Sequence, residues 1–268
     1  ASDPTTEVIV LISKPPAPAV AQRVLERAAH CGKPVVACFV GGTAEEYAGI
    51  QVARDLTEAA RRAVHLATGQ PLATLDVPGL AEARARLDAE RPKLAPEQRF
   101  LRGLYSGGTL CDEAMTLLMP KIGAIHSNIP LRPDLRLADP HRSAGHTFVD
   151  LGSDEFTVGR PRPMIDQTIR IERLRREAQD PTVAAIVLDV VLGYGATPDP
   201  AAELAPAIAE ARERARQAGR LLPVIVALVG TRADPQGFDR QRERLEAAGA
   251  IVVPSNAAAA ELAAQLVA

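Results

Sequence analysis

The same order of elements runs twice through this chain, and no other feature limits its fold as much. Residues 8–12 form a short apolar run that enters Ser13-Lys14-Pro15-Pro16. A helical stretch over 17–29 follows, and Gly32-Lys33-Pro34 leads into a second apolar run over 35–40, closed by Gly41-Gly42-Thr43. Downstream, residues 185–191 enter Gly193-Tyr194-Gly195, a helix covers about 201–217, and Gly219 precedes a run over 223–229 that ends in Gly230-Thr231. Each copy then closes with a short strand and an amphipathic helix, over 50–53 and 56–66 in the first and over 251–253 and 257–267 in the second. Continuous Val, Ile and Leu strands separated by helices require a parallel sheet covered on both faces and joined by right-handed crossovers. The expected fold class is therefore α/β, with two doubly wound parallel-sheet domains, and ligands belong at the C-terminal ends of the strands.

A chain of 268 residues is long enough for two such domains. Residues 70–97 are rich in Ala, Arg and Pro, with a helical segment near 80–89, and read as a connection. The boundary is placed near Pro96, giving a first domain over 1–96, with its helical linker from about 70, and a larger second domain over 97–268. The second domain starts with an extra unit, a strand over 100–105 and a helix over about 110–118. A loop-rich stretch over 126–145 follows, read as either a functional loop or a partly disordered one. The start, Ala1-Ser2-Asp3-Pro4, has neither an initiator Met nor a signal-peptide pattern and is read as a cut end.

Composition excludes several function classes. A formal net charge of -2 gives no electrostatic reason to expect nucleic acid or an acidic membrane surface as partner. No apolar run approaches the roughly 20 residues that span a bilayer. Three cysteines, Cys31, Cys38 and Cys111, in apolar or helical contexts suit a reducing compartment, and the expected location is cytoplasmic. His126, His141 and His146 match no metal-ligand spacing, so no metal is expected.

Four strand ends carry candidate chemistry. Ser106-Gly107-Gly108-Thr109 ends a strand in two glycines and opens a helix, so backbone N–H groups and two hydroxyls can cradle a phosphate or carboxylate; an ordinary turn capped by Thr109 is the alternative. Gly152 lies in the turn after the strand over 146–149. Gly159-Arg160-Pro161-Arg162-Pro163-Met164-Ile165-Asp166 places two arginines, stiffened by prolines, ahead of a helix, a fork suited to an anion. The competing reading pairs Arg160 and Arg162 with Asp154, Glu155 or Asp166, leaving Asp166 as a cap. Asp189 stands inside the apolar run that ends at Gly193 and Gly195, where an unpaired carboxylate would be costly, so it is either functional or structurally paired. Ser13 and Lys14 occupy the equivalent strand end of the first domain and form a possible second anion site. Cys111 near a helix start is read as inert, with no histidine or asparagine placed by sequence as its base.

Ser13-Lys14-Pro15-Pro16, Gly32-Lys33-Pro34, Gly103-Leu104-Tyr105-Ser106-Gly107-Gly108-Thr109-Leu110, Gly159-Arg160-Pro161-Arg162-Pro163-Met164-Ile165-Asp166 and Leu188-Asp189-Val190-Val191 together resemble segments of the FdrA family, which is similar to succinyl-CoA synthetase. The resemblance spans nearly the whole chain but only the later part of those proteins. It implies two flavodoxin-like ligase domains fused in one polypeptide, preceded in the family by a CoA-binding Rossmann domain. No cofactor is then expected within this chain, and CoA enters through that preceding domain.

A synthetase of that class carries a phosphohistidine in a Gly-His-Ala-Gly-like turn after the strand that ends here at Val40-Gly41-Gly42-Thr43. Here Ala44-Glu45-Glu46-Tyr47-Ala48-Gly49 follows, with no histidine and no ATP-grasp segment. What the resemblance implies is an acyl-phosphate-handling transferase subunit acting with companion subunits in an oligomer or hetero-complex. The favoured reaction is carbamoyl transfer between carbamoyl phosphate and oxamate or oxalurate in allantoin breakdown, with Ser106 to Thr109 on the phosphate and Arg160 or Arg162 on the carboxylate. An acyl-CoA synthetase subunit using CoA and a nucleotide, and a non-catalytic scaffold, are the alternatives.

Overall fold

A computed structural model describes residues 2–42, 47, 49–72 and 79–267. Contacts divide the chain into two units, 1–77 and 78–268. The division falls earlier than residue 96, because the helix read as a connection packs with the second unit.

In the smaller unit, strands β1 (Ile9–Ser13), β2 (Val35–Phe39) and β3 (Ile50–Val52) form a parallel sheet in the order β1-β2-β3. Helix α1 (Pro18–Ala29) starts with Pro in its first turn, where the missing N–H costs nothing. Helix α2 (Leu56–Thr68) is capped by Asp55, whose side chain accepts from the Glu58 N–H at 2.8 Å, and ends on Gly69 at φ 71°. The alternating side chains of β2 separate two small cores. Val36 and Cys38 pack with α2, and Val35 and Ala37 pack with Leu25 and Ala28 of α1.

The larger unit adds α3 (Leu80–Glu90), β4 (Phe100–Tyr105), α4 (Gly108–Ile122), β5 (Ile125–His126), β6 (His146–Asp150), α5 (Asp154–Thr157), α6 (Thr168–Glu177), β7 (Val183–Val191), α7 (Pro200–Gln217), β8 (Val224–Val229), α8 (Phe238–Ala247), β9 (Ile251–Val253) and α9 (Asn256–Val267). Its six strands are parallel in the order β5-β6-β4-β7-β8-β9. Residues of α6, α7 and α8 share one core with Leu104, Ile186, Leu188 and Val226. Residues of α3, α4 and α9 share the other with Leu101, Tyr105, Val187 and Ile225. The expected doubly wound architecture is present, and chain direction reverses around β4: α4 leaves it on one face, and α6 and α7 lie on the other. That switch point is where such sheets open a crevice at their strand C-termini.

The stretch over 126–145 is ordered. Buried Arg102 of β4 donates from Nε to Glu177 at 2.7 Å and from Nη2 to Asp180 at 2.8 Å, and also bonds the Gly145 carbonyl. Arg173 donates to Glu177 at 2.6 Å, to the Pro140 carbonyl at 2.8 Å and to Ser143 at 2.9 Å. Each charge is paired and each donor has an acceptor, the condition under which such groups can be buried.

Candidate functional site

The C-terminal ends of β4, β6 and β7 meet at the switch point. Inside β4, Gly103 is required by its neighbour: a Cβ there would stand 2.2 Å from Cδ1 of Phe148. The Tyr105 carbonyl accepts from the Leu151 N–H at 2.9 Å, fixing the turn after β6 beside the turn after β4. Gly152 permits this approach, since its Cβ would come within 2.5 Å of the Ser106 carbonyl oxygen, and its N–H donates to Asp150 at 2.9 Å. Asn128 holds the same strand end, donating to the Asp150 carbonyl at 3.1 Å and to Ser153 at 2.9 Å.

Behind the turn lies a buried ion pair. Asp189 is 0% exposed, and its Oδ1 accepts from Arg170 Nη2 at 3.0 Å and from the Ser106 N–H at 2.9 Å; its Oδ2 accepts from the Ser106 hydroxyl. Arg170 also bonds the Asp189 carbonyl, and it reaches Gln167 at 3.1 Å and the Leu104 carbonyl at 3.3 Å. Burial pulls the Arg170 guanidinium below its ordinary pKa, and the facing Asp189 carboxylate opposes that shift. Beside them, burial pushes the Tyr105 phenol well above its ordinary value, with Cys111 and Asp189 adding to the effect.

Asp189 is structurally paired, one of the two readings its sequence left open, and both Ser106 donors point inward at it. Beyond Ser106 the turn continues through Gly107, Gly108 and Thr109. Helix α4 begins there with Gly107 as an extended N-cap (φ -164°, ψ 155°) and no side-chain cap. A Cβ on Gly107 would meet nothing within 4 Å, so this face is open. Asn256 at the start of α9 steadies the first turn of α4, donating to the Leu110 carbonyl and to Glu113, each at 2.8 Å. Thr109 therefore sits in the first turn of the helix rather than capping it.

The remaining candidates have surroundings of their own. Gly193 (φ 123°) is clamped by Gln236, which accepts from its N–H at 3.1 Å and donates to its carbonyl at 2.8 Å. Gly195 (φ 84°) follows Tyr194, which is 96% exposed. Arg160 is exposed and lies 3.7 Å from Glu172, a partner absent from the sequence-based alternatives. The two grooves it lines, each near 300 Å³, are bounded by residues of α6 and its surroundings and not by 106–109. Arg162 is exposed, and its carbonyl accepts from the Ile165 and Asp166 N–H groups. Asp166 accepts from the Thr168 N–H at 2.8 Å as a turn into α6, and hydrogen bonding from the Thr168 side chain, with this N–H second, holds its carboxyl below the usual range. In the smaller unit, the exposed Ser13 hydroxyl donates to the Lys14 carbonyl at 2.7 Å. Thr43, Ala44, Glu45, Glu46 and Ala48, in the turn where a phosphohistidine was sought, lie outside the described residues. Cys111 is buried.

Sequence reading missed Arg170, Gln167, Asn128 and Gln236. The first had a usable signal: Asp189 in an apolar strand demanded a cation, and α6 is the arginine-rich helix next in line.

Comparison with known proteins accords with this geometry. The family model described as CoA-ligase matches residues 104–266, from the end of β4 through α9. The uncharacterized protein YahF of Escherichia coli (strain K12) is 48% identical over 261 residues, covering 95% of this chain and 49% of the relative. The chain thus spans about half the length of this relative. Among the described residues, no helix is long and apolar enough to cross a membrane.

Proposed function

The chain belongs to the CoA-ligase family, and from that premise we propose that its larger unit holds the phosphoryl group of an acyl phosphate at the N-terminus of α4, as the ligase portion of an acyl-CoA-synthetase-type enzyme. One observation carries the reading: α4 starts at the topological switch point on an uncapped, open Gly107. The first turn of a helix presents N–H groups without intrahelical partners and the positive end of its dipole. Phosphate charge is stabilised there without a cationic side chain.

The buried pair beneath the turn serves pre-organisation. Asp189, fixed by Arg170, holds the Ser106 N–H and hydroxyl in place, so the following amides stay aimed outward without reorganising as charge moves onto the departing phosphate. Bound CoA, held by polypeptide outside these residues, would supply the thiol that accepts the acyl group. The groups of this chain then position and stabilise, and none acts as a nucleophile.

A narrower reading uses the same site. Residues 41–49 contain no histidine, which favours transfer from a free acyl phosphate over relay through a phosphorylated side chain. Carbamoyl transfer to oxamate, implied by the FdrA resemblance, is such a reaction; the CoA-ligase match supports the synthetase reading alone.

Thermal unfolding with acetyl phosphate, carbamoyl phosphate, oxamate, CoA and ATP added separately distinguishes these readings, because a ligand of the native state raises the midpoint. Stabilisation by acyl phosphates supports the proposal, and stabilisation by oxamate with carbamoyl phosphate selects carbamoyl transfer. Absence of any acyl-phosphate effect rejects the phosphate site.

A further inference from the structure

The two copies of the repeat match strand for strand. The Ile9 N–H bonds the Pro34 carbonyl at 3.0 Å, as the Ile186 N–H bonds the Pro223 carbonyl at 3.0 Å. Ile9 pairs with Val35 as Ile186 pairs with Val224, and Val36 pairs with Gln51 as Ile225 pairs with Ile251. Hence β1 is the counterpart of β7, α1 of α7, β2 of β8, β3 of β9 and α2 of α9. Ala37, Phe39 and Val52 then stand at the places of Val226, Leu228 and Val252.

One helix of the larger unit has no counterpart. Residues 230–250 link β8 to β9 and contain α8, whereas residues 40–49 link β2 to β3, no more residues than α8 itself. α8 lies against α7 and β9, and its Leu245 shares a core with Val226, Leu228 and Val252, none of them more than 8% exposed. In the smaller unit Phe39 and Val52 are only half-buried. A groove of about 630 Å³ runs past them, walled by Leu25 of α1 with Ala37, Phe39, Tyr47 and Val52, so it takes the place of α8 in the repeat. The short link that leaves this place open is internal to the chain, and no residue of β1 lines the groove.

We propose that this groove binds a planar, uncharged heteroaromatic ring that carries an N–H. Its volume suits a small ligand, and its walls include Phe39, Gly42 and Val52 at the C-terminal ends of β2 and β3, where sheets of this kind hold ligands. Charge decides against an anion. Among the described residues no Lys, Arg, Asp or Glu lines the groove, and Pro15, Pro16 and Pro18 have no N–H to offer. The start of α4 offers what this groove lacks, so the two places take different ligands. Phe39 and Tyr47 contribute two aromatic rings, which favour a further ring in offset or edge-to-face contact. Gln22, which also lines the groove, donates from Nε2 to Glu26 at 2.9 Å, and its amide oxygen is left to accept from the ring N–H.

The test titrates the full 268-residue chain, methyl-labelled at Ala, Leu and Val, with indole. The methyl signals of Ala21, Leu25, Ala37 and Val52 are expected to shift saturably, with half-saturation at about 1 mM for so small a ligand. Hexan-1-ol and inorganic phosphate should leave them in place. Benzofuran, which has the shape of indole and no N–H, should bind about 2- to 10-fold more weakly, and Gln22→Leu, at an exposed position, should abolish that difference. Ala21→Leu keeps a good helix former in α1 and narrows the groove, and it should weaken indole about 10-fold or more. The proposal is overturned by the absence of a saturable shift, by equal shifts with hexan-1-ol or phosphate, by undiminished indole binding in Ala21→Leu, or by a Gln22→Leu chain that still prefers indole to benzofuran. Stronger perturbation of the same methyls by a peptide copying residues 237–248 would show that a helix takes this place instead of a ring, and would overturn it too.

Discussion

β1 and β7 have the same place in the repeat and opposite surroundings. Five apolar or small residues of β1 make an edge, whereas in β7 every residue from Val183 to Val190 is buried. Local pattern determined the strand, the crossover and the pairing register in both. What it did not determine is burial, which depends on whether a third strand comes alongside. Among the described residues, Asp189 is enclosed with its partners where β4 does so, and the glycine turn after β4 is backed there by their ion pair. The position equivalent to Asp189 in the smaller unit is Ile12, which has no charge to satisfy.

The largest effect should come from the enclosed side of this comparison. Arg170→Ala leaves Asp189 buried with only the Ser106 donors, which typically costs about 3–5 kcal/mol. Denaturant unfolding of the larger unit should show that loss. A change below about 1 kcal/mol would mean that the pair does not hold the turn.

Gly103→Ala comes next, because the new methyl must displace the Phe148 ring, at about 1–3 kcal/mol. Gly107→Ser, facing open space at an N-cap that suits Ser, is the control and should be neutral or slightly stabilising; equal losses in the two would show that packing at β4 is not the cause.

A smaller, pH-dependent effect is expected at His146. Its Nδ1 accepts from the Leu101 N–H at 3.1 Å, and burial, with Arg102 nearby, lowers its pKa from 6.5 to about 4. The native state therefore keeps the ring neutral where the unfolded chain binds a proton. Stability should fall as pH drops from 6.5 to about 4, with no further loss from this group below that. Comparing His146→Gln with the native chain across this window isolates the contribution, and parallel pH profiles would exclude it. Ile12→Asn is the smallest change, within about 0.5 kcal/mol, since the position is already exposed. A loss several times larger would mean that β1 is covered after all.

Much of the fold was readable because apolar strands bounded by Gly and Pro repeat at helical separation. β4 and β9 begin and end where the pattern places them. Errors cluster where charge or proline masks periodicity. α4 runs on through Pro120 to Ile122, past the stop expected near Leu118. α8 escaped notice because Asp239, Arg240, Arg242, Glu243 and Arg244 outweigh its single fully buried leucine, Leu245. In α6, Arg170, Arg173 and Glu177 face inward, whereas charged residues at such spacing ordinarily mark the solvent side. The glycine turns were legible as turns; that Ser106 faces inward and that Arg160 meets Glu172 follow from tertiary placement, which no local spacing encodes.

The phosphate site itself is tested most directly by Gly107→Asp, measured as thermal unfolding of the larger unit with and without phosphate or acetyl phosphate. An Asp there fits the extended N-cap and open space, so it should hold or raise intrinsic stability by a few tenths of a kcal/mol. Its carboxylate occupies the place of the anion. The account requires that both ligands raise the midpoint of the native chain and that this rise disappears in Gly107→Asp. Undiminished stabilisation of the variant, or none in the native chain, would contradict it.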